Sequence, residues 1–244
     1  MQSPKRWLAG LIAVALGSFL LASPPQASAT LELALQENGG PITVVAFGPS
    51  FTPVSASSSP FGDYIVTFFS AVAGNGAGGS NLLSSTTQIA STSTATNTLK
   101  LFVSETDYTL PAGSPLLVMS GMGGTYGAEA GFTGAATFQM WADAGNGLLA
   151  IPGTFTNGLQ TANPASGTGV AFDTGVDPSG SFTKSGNFSV TDETTITTTG
   201  IGDINYANHV LLRPRVPEPG TTTLLILGIG SGLLALFTGV RRQR

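Results

Sequence analysis

The segment Leu31-Glu32-Leu33-Ala34-Leu35-Gln36 alternates with a period of two, and that period recurs along most of the chain. In a strand, successive side chains point to opposite faces, so the three leucines share one face and Glu32 and Gln36 the other. Further runs of the same kind are 42–47, 64–72, 98–103, 116–119, 135–142, 169–172, 186–190 and 194–199. The gaps between them are rich in Gly, Pro, Asn and Ser, which accept turn dihedrals. No window carries a sustained i, i+3, i+4 apolar stripe with caps. The expectation is an all-β body, a sandwich or jelly-roll-like arrangement of about nine to twelve strands.

Charge is scarce. Only 9% of the 244 residues are charged against roughly a quarter in an ordinary soluble domain, while 41% are hydrophobic. The hydrophobic excess is concentrated at the two ends. Lys5 and Arg6 precede an uncharged stretch over 7–22, followed by Ser23-Pro24-Pro25-Gln26 and the small-residue triplet Ala27-Ser28-Ala29. This is the layout of a secretory signal peptide over 1–29, with Ala27 and Ala29 at the cleavage site and a mature chain starting at Thr30. The secretion translocon and signal peptidase are the partners this end expects.

At the other end, residues 221–240 contain no charge. Twenty helical residues at ~1.5 Å each span about 30 Å, the thickness of the hydrocarbon core. Arg241, Arg242 and Arg244 follow, and such a cluster stays in the cytoplasm, so the body faces outward. Before the span stands Val216-Pro217-Glu218-Pro219-Gly220. Two prolines around one carboxylate exclude a helix or a central strand and leave an extended segment at the membrane surface, suited to a protease.

Pro-Glu-Pro, an apolar span and a terminal arginine cluster, in that order, resemble the PEP-CTERM sorting signal. The resemblance implies that a membrane-embedded, exosortase-type enzyme recognises Pro217, Glu218 and Pro219 and removes the tail, with Arg241, Arg242 and Arg244 holding the chain in the membrane beforehand. It also implies export, transient anchoring in the inner membrane and delivery to the cell surface or the extracellular matrix. The expected organisation is then a signal peptide over 1–29, an exported domain over 30–215, the sorting motif over 216–220, a transmembrane helix over 221–240 and a basic tail over 241–244. Two body segments, Phe102 to Pro111 and Phe188 to Thr197, are similar to parts of uncharacterised β-rich ectodomains of exosortase substrates; that likeness supports the fold class and supplies no activity.

The body holds four basic residues (Lys100, Lys184, Arg213, Arg215) against twelve acidic ones, a charge of −8. Such a surface disfavours nucleic acid and anionic lipid as partners. Its strand faces are written in Thr and Ser rather than Lys and Glu. Nine of the fourteen residues over 85–98 are Ser or Thr, a composition open to a hydroxyl-rich strand pair, a flexible loop or a patch for O-linked glycan. Asn187-Phe188-Ser189 fits the N-glycosylation sequon, idle in the bacterial setting that the tail implies.

Zero Cys removes disulfides and thiolate metal sites, and a single histidine, His209, removes most zinc and acid–base chemistry. Gly74-Asn75-Gly76-Ala77-Gly78-Gly79 satisfies G-x-G-x-x-G, but Ser80 to Thr87 is a poor helix and no acid follows until Glu105, so a turn is expected and not a dinucleotide site. Val170-Ala171-Phe172-Asp173-Thr174-Gly175 looks like the catalytic loop of aspartic proteases. That chemistry needs two carboxylates sharing a proton; the chain has one such loop, so only a dimer would complete it, and a hairpin turn is the simpler reading. Asp173 with Asp177, or Asp203 with Asn205, offer oxygen ligands of the kind calcium takes, but without an EF-hand around them they read as turn residues. No metal, cofactor or catalytic residue is expected. Two readings of function remain beside that remote enzyme: a non-enzymatic surface or matrix protein meeting exopolysaccharide, and a binding module for glycan or protein that stacks on Tyr126, Phe138 and Trp141.

Overall fold

The computed structural model describes residues 30–215 apart from 129–131, 163–164, 167–169 and 176–178. They form two antiparallel sheets packed face to face, with no helix among the described residues. Sheet A contains β1 (Thr30–Glu37), β2 (Thr43–Pro49), β6 (Thr96–Tyr108), β8 (Thr133–Asp143), β14 (Phe188–Thr199) and the two-residue strands β9 (Phe155–Thr156), β10 (Gln160–Thr161) and β11 (Ala165–Ser166). Sheet B contains β3 (Val54–Phe61), β4 (Tyr64–Gly76), β5 (Gly79–Ser91), β7 (Leu116–Ala128), β15 (Gly202–Pro214) and the four-residue strands β12 (Val170–Asp173) and β13 (Ser179–Phe182). The orders are β10-β8-β14-β6-β1-β2 and β12-β7-β15-β5-β4-β3, so β2 and β3 lie on one rim of the sandwich and the short strands on the other.

Leu31, Leu33 and Leu35 face the second sheet and are buried, as the alternation predicts. Sheet A adds Leu99, Leu101, Phe138, Met140 and Ile196 to that face, and sheet B adds Phe69, Leu82, Val118, Ile204 and Leu212. All-β architecture with sandwich packing is therefore what the sequence folds into. The strands number fifteen among the described residues, more than expected, because the far rim is edged with short pieces.

Three long strands differ from expectation. The runs 186–190 and 194–199 belong to one strand, β14, with Asp192 and Glu193 in its middle instead of a turn. β3 and β15 carry too many Ser, Asn and Asp to show an apolar rhythm. The segment 85–98 contains the end of β5, a turn over 92–95 and the start of β6. These are strands, but they are not paired with each other, since β5 lies in sheet B and β6 in sheet A.

The Gly74–Gly79 motif closes the β4–β5 hairpin, where Gly76 faces Gly79 across two turn residues. Two-residue loops of this kind join neighbouring antiparallel strands and offer no helix N-terminus to a phosphate.

Candidate functional site

Both ends of the body leave from one pole. The Thr30 N–H at the start of β1 donates to Thr106 Oγ1 near the end of β6 (3.2 Å). At the end of β15, Leu212 pairs with Ser80, whose hydroxyl donates to the carbonyl of Leu110 just beyond β6 (2.7 Å). Lys184 reaches the same place, donating to Thr109 O (2.7 Å) with its ammonium 5.1 Å from the centre of the Phe188 ring. Lys184, Arg213 and Arg215, three of the four basic residues of the body, therefore gather at the pole where β15 ends.

The outer face of sheet A is divided in two. Towards the pole it is covered by the loop that follows β8. Leu149 N–H donates to Ser104 Oγ (2.9 Å), Ser189 Oγ donates to Gly147 O (2.7 Å), and Asn146 and Asp107 exchange two hydrogen bonds of 2.7 and 2.8 Å. Ala34, Phe102 and Trp141 are buried on this outer side, apart from the inter-sheet core. Away from the pole the face is open and made of threonine: Thr96 bonds Thr199 (2.7 Å) and Thr98 bonds Thr197 (3.2 Å) across β6 and β14, with Thr133 opposite Thr199 and Thr137 opposite Thr195 on β8. At its centre Lys100 pairs with Glu193 (2.8 Å), which also accepts from Thr195 Oγ1 (2.8 Å). Strands ~4.8 Å apart, with side chains recurring every ~6.7 Å along each, make this a flat grid of hydroxyls and methyls.

Between the sheets lies a polar cluster that sequence reasoning missed. Asn208 of β15 donates to Asp192 Oδ1 (3.2 Å) and Thr194 Oγ1 (3.1 Å) of β14, and its Oδ1 accepts from Ser84 N–H of β5 (3.2 Å). Asp192 is wholly buried, its second oxygen has no partner, and burial holds its carboxyl well above the usual carboxylate range, tempered by the Asn208 amide. Burial likewise raises the Tyr206 phenol beside it, with Thr194 and Thr87 moderating the shift. Glu105 is wholly buried in the same layer towards the pole, and burial pushes it up to about 7; the Ser50 hydroxyl moderates this from outside hydrogen-bonding geometry, and Asp107 adds to it. The signal was available in the alternation: Val190, Asp192, Thr194 and Ile196 fall on one face once 188–199 is read as a single strand.

The residues singled out from the sequence fall as follows. Tyr126 and Phe138 are fully buried and Trp141 is 7% exposed, so the stacking platform does not exist. Tyr126 packs on Phe172 at 4.4 Å between ring centres, and its ring fills the space a side chain at Gly134 would need. Aromatic rings supply the largest apolar areas available to a sandwich core, and here they are spent on it. Asp173 is exposed at the end of β12 and accepts from Gly175 N–H (2.8 Å), a turn in which Gly175 has φ +77°. Thr174 completes it with hydrogen bonds of 3.0 Å to and from the Met122 backbone. Asp203 and Asn205 are strand residues on the outer side of β15, not a turn. Ala27, Ala29, Pro217, Glu218, Pro219, Arg241, Arg242 and Arg244 lie outside the described residues.

The sequence that follows the body carries a sorting signal. Residues 215–243 match the PEP-CTERM protein-sorting motif. The PEP-CTERM motif implies recognition by an exosortase, a membrane processing enzyme, and sorting to the cell surface by way of a membrane-anchored stage. The β-rich body expected from the sequence is the body the structure shows. No curated protein matches the chain.

Proposed function

We propose that this chain is an exosortase-sorted structural protein of the cell surface or extracellular matrix, with no catalysis of its own. In this reading residues 1–29 are a signal peptide cut after Ala29, 30–215 the exported domain, 216–220 the processing site, 221–240 a transient membrane helix and 241–244 its cytoplasmic tail. Pro217, Glu218 and Pro219 present the extended segment to the enzyme, and Arg241, Arg242 and Arg244 keep the helix from sliding through before cleavage. The PEP-CTERM motif at 215–243 carries the reading. The shared exit pole supports it, since a body held at one end keeps the rest of its surface free.

The surface offered outward is the threonine field of sheet A, and its partner is exopolysaccharide. Hydroxyl groups exchange hydrogen bonds with sugar hydroxyls at little desolvation cost, while the methyl groups pack on sugar rings. Intact-mass measurement of the exported chain tests the processing half. Loss of both 1–29 and the tail is expected in the native chain and retention of the tail in Glu218→Ala; a mature surface form that still carries an epitope placed after Gly220 overturns it. Retention of the surface protein on cell-derived exopolysaccharide tests the other half, with Thr195→Lys and Thr197→Lys expected to release it. Unchanged retention in both variants removes this face from the proposal.

A further inference from the structure

The two rims of the sandwich are finished differently. On the far rim, sheet A ends in two-residue strands and sheet B in four-residue strands, which leaves little continuous edge for another chain to pair with. On the near rim, β2 pairs only with β1 and β3 only with β4 among the described residues, so the strand edges over 43–48 and 54–59 run side by side without a further strand. Strand edges in soluble proteins are ordinarily blunted by lysine, proline, a bulge or an inward-pointing charge. This rim has a bulge at Val45 and prolines only towards the strand ends, at Pro49 and Pro60, and no charge at all. Residues 38–62, which include both edge strands, hold no charged residue, although the body as a whole carries −8.

The same rim exposes large apolar side chains. Phe47 is 74% exposed, Val44 46%, Ile42 45% and Phe51 45%. Val44 and Phe47 line an open cleft of about 640 Å³ between β2 and the start of β3, together with Thr52, Pro53 and Val54. Apolar area of this kind, with backbone groups unpaired beside it, is costly in water and stabilising when a matching strand covers it.

We propose that this rim is a docking surface for a second copy of the chain, with β2 antiparallel to β2 of the copy and β3 antiparallel to β3 of the copy. Two identical strands pair antiparallel about a two-fold axis perpendicular to their sheet. Because the sheets are stacked face to face with β2 and β3 on the same rim, one axis satisfies both edges and closes the assembly as a dimer. Charge selects the occupant. Two bodies of −8 repel over most of their surfaces, and the rim is the place where they meet without desolvating a carboxylate or opposing like charges.

The chain contains no cysteine, which makes the test direct. Single cysteines are placed in the full-length, exported chain at Thr43, Val44, Val45, Ala46 and Phe47 in turn, with Thr197→Cys on the open face of sheet A as the control. Disulfide-linked dimer is expected to peak at one β2 position and to exceed the Thr197→Cys yield by about tenfold there, since the bond forms only where Cα atoms come within ~7 Å. Adding Phe47→Lys or Val44→Lys to the best-linked variant is expected to abolish the link while leaving secretion unchanged, because both side chains are already exposed. Sedimentation of the unmodified chain gives an independent reading, expected at twice the monomer mass. Rim yields no higher than the control, linkage to a species of another mass, or a monomer in sedimentation overturns the proposal, and a rim covered by the chain's own tail would give the first and last of these.

Discussion

Asn208 joins the two sheets to Asp192 through an amide that reaches 3.2 Å to its carboxyl and 3.1 Å to the Thr194 hydroxyl. The same side chain repairs a fault in its own sheet. The register of β15 against β5 slips between Tyr206 and Asn208, so that two residues of β5 oppose one of β15, and Asn208 Oδ1 takes the Ser84 N–H that the bulge leaves out of the ladder. Tyr64 with Thr198 (3.1 Å), Tyr108 with Asn81 O (2.7 Å) and Gln160 with Ser120 (2.8 Å) are further polar ties between the sheets. Asn208→Ala leaves an acid, a hydroxyl and a backbone N–H buried without that partner, and the expected loss is about 2–4 kcal/mol. Denaturant unfolding of the variant against the native chain checks it; a shift below half a kilocalorie would mean that water replaces the amide.

Glu105 and Asp192 give the fold an unusual pH response. Burial raises both, Glu105 from 4.5 to about 7. The folded state keeps these protons to a higher pH than the unfolded chain does, so stability is greatest below about pH 4.5 and falls as pH rises through about 7, by an amount on the order of 2 kcal/mol from Glu105 alone. The melting temperature of the native chain is expected to decline from pH 5 to pH 8, and Glu105→Gln, which cannot ionise, to decline less. Equal slopes in the two would assign the effect to the net charge of the body instead.

Gly124 marks the tightest approach in sheet B. A Cβ there would run into the Asn205 carbonyl and lie 2.7 Å from the Phe172 ring and 2.8 Å from the Tyr206 side chain. One of these is backbone of the adjacent strand and cannot turn aside, so Gly124→Ala is expected to cost about 2–3 kcal/mol. Gly78 has open space around it, and Gly78→Ala serves as the neutral control in the same thermal melt.

How much of this was legible follows from where polar residues sit. β1, β4 and β8 announced themselves because their inner positions are apolar except at the strand ends, Glu37 and Asn75. β14 shows two separate runs in the sequence because Thr191-Asp192-Glu193 interrupts its apolar alternation, yet Asp192 is buried in the core and Glu193 is held at the surface by Lys100. β15 was missed for the same reason: its inner positions run Ile204, Tyr206, Asn208, Val210, Leu212, and the asparagine breaks the rhythm. A period-two reading recognises a polar residue inside only when its partner is known, and the partner here is two residues of another sheet. The aromatic platform failed from the opposite error, since nothing in a strand's own sequence says which of its two faces is covered. Trp141 lies on the outer side of sheet A, where exposure was a fair expectation, and is buried because a loop folds back over it.

That loop is held by a pair of residues in left-handed backbone. Asn146 and Asp107 have φ of +59° and +61°, a region that L-residues other than Asn, Asp and Gly adopt at a cost. Their hydrogen bonds of 2.7 and 2.8 Å fix the loop over Phe102 and Trp141. Asn146→Ala removes both bonds and places an alanine in left-handed backbone, so the loop is expected to open locally at a cost of about 1–2 kcal/mol while the sandwich stays folded. The chain has two tryptophans, Trp7 and Trp141, so in a chain lacking residues 1–29 the fluorescence comes from Trp141 alone. Its emission is expected to move to longer wavelength and become accessible to acrylamide in Asn146→Ala, with the midpoint of global unfolding nearly unchanged. Asn146→Gly, which relieves the backbone but still lacks the side-chain bonds, is expected to give the same exposure with a smaller energetic penalty, because positive φ is free for glycine. If both variants keep Trp141 shielded, the Ser104–Leu149 and Ser189–Gly147 bonds are what hold the cover in place.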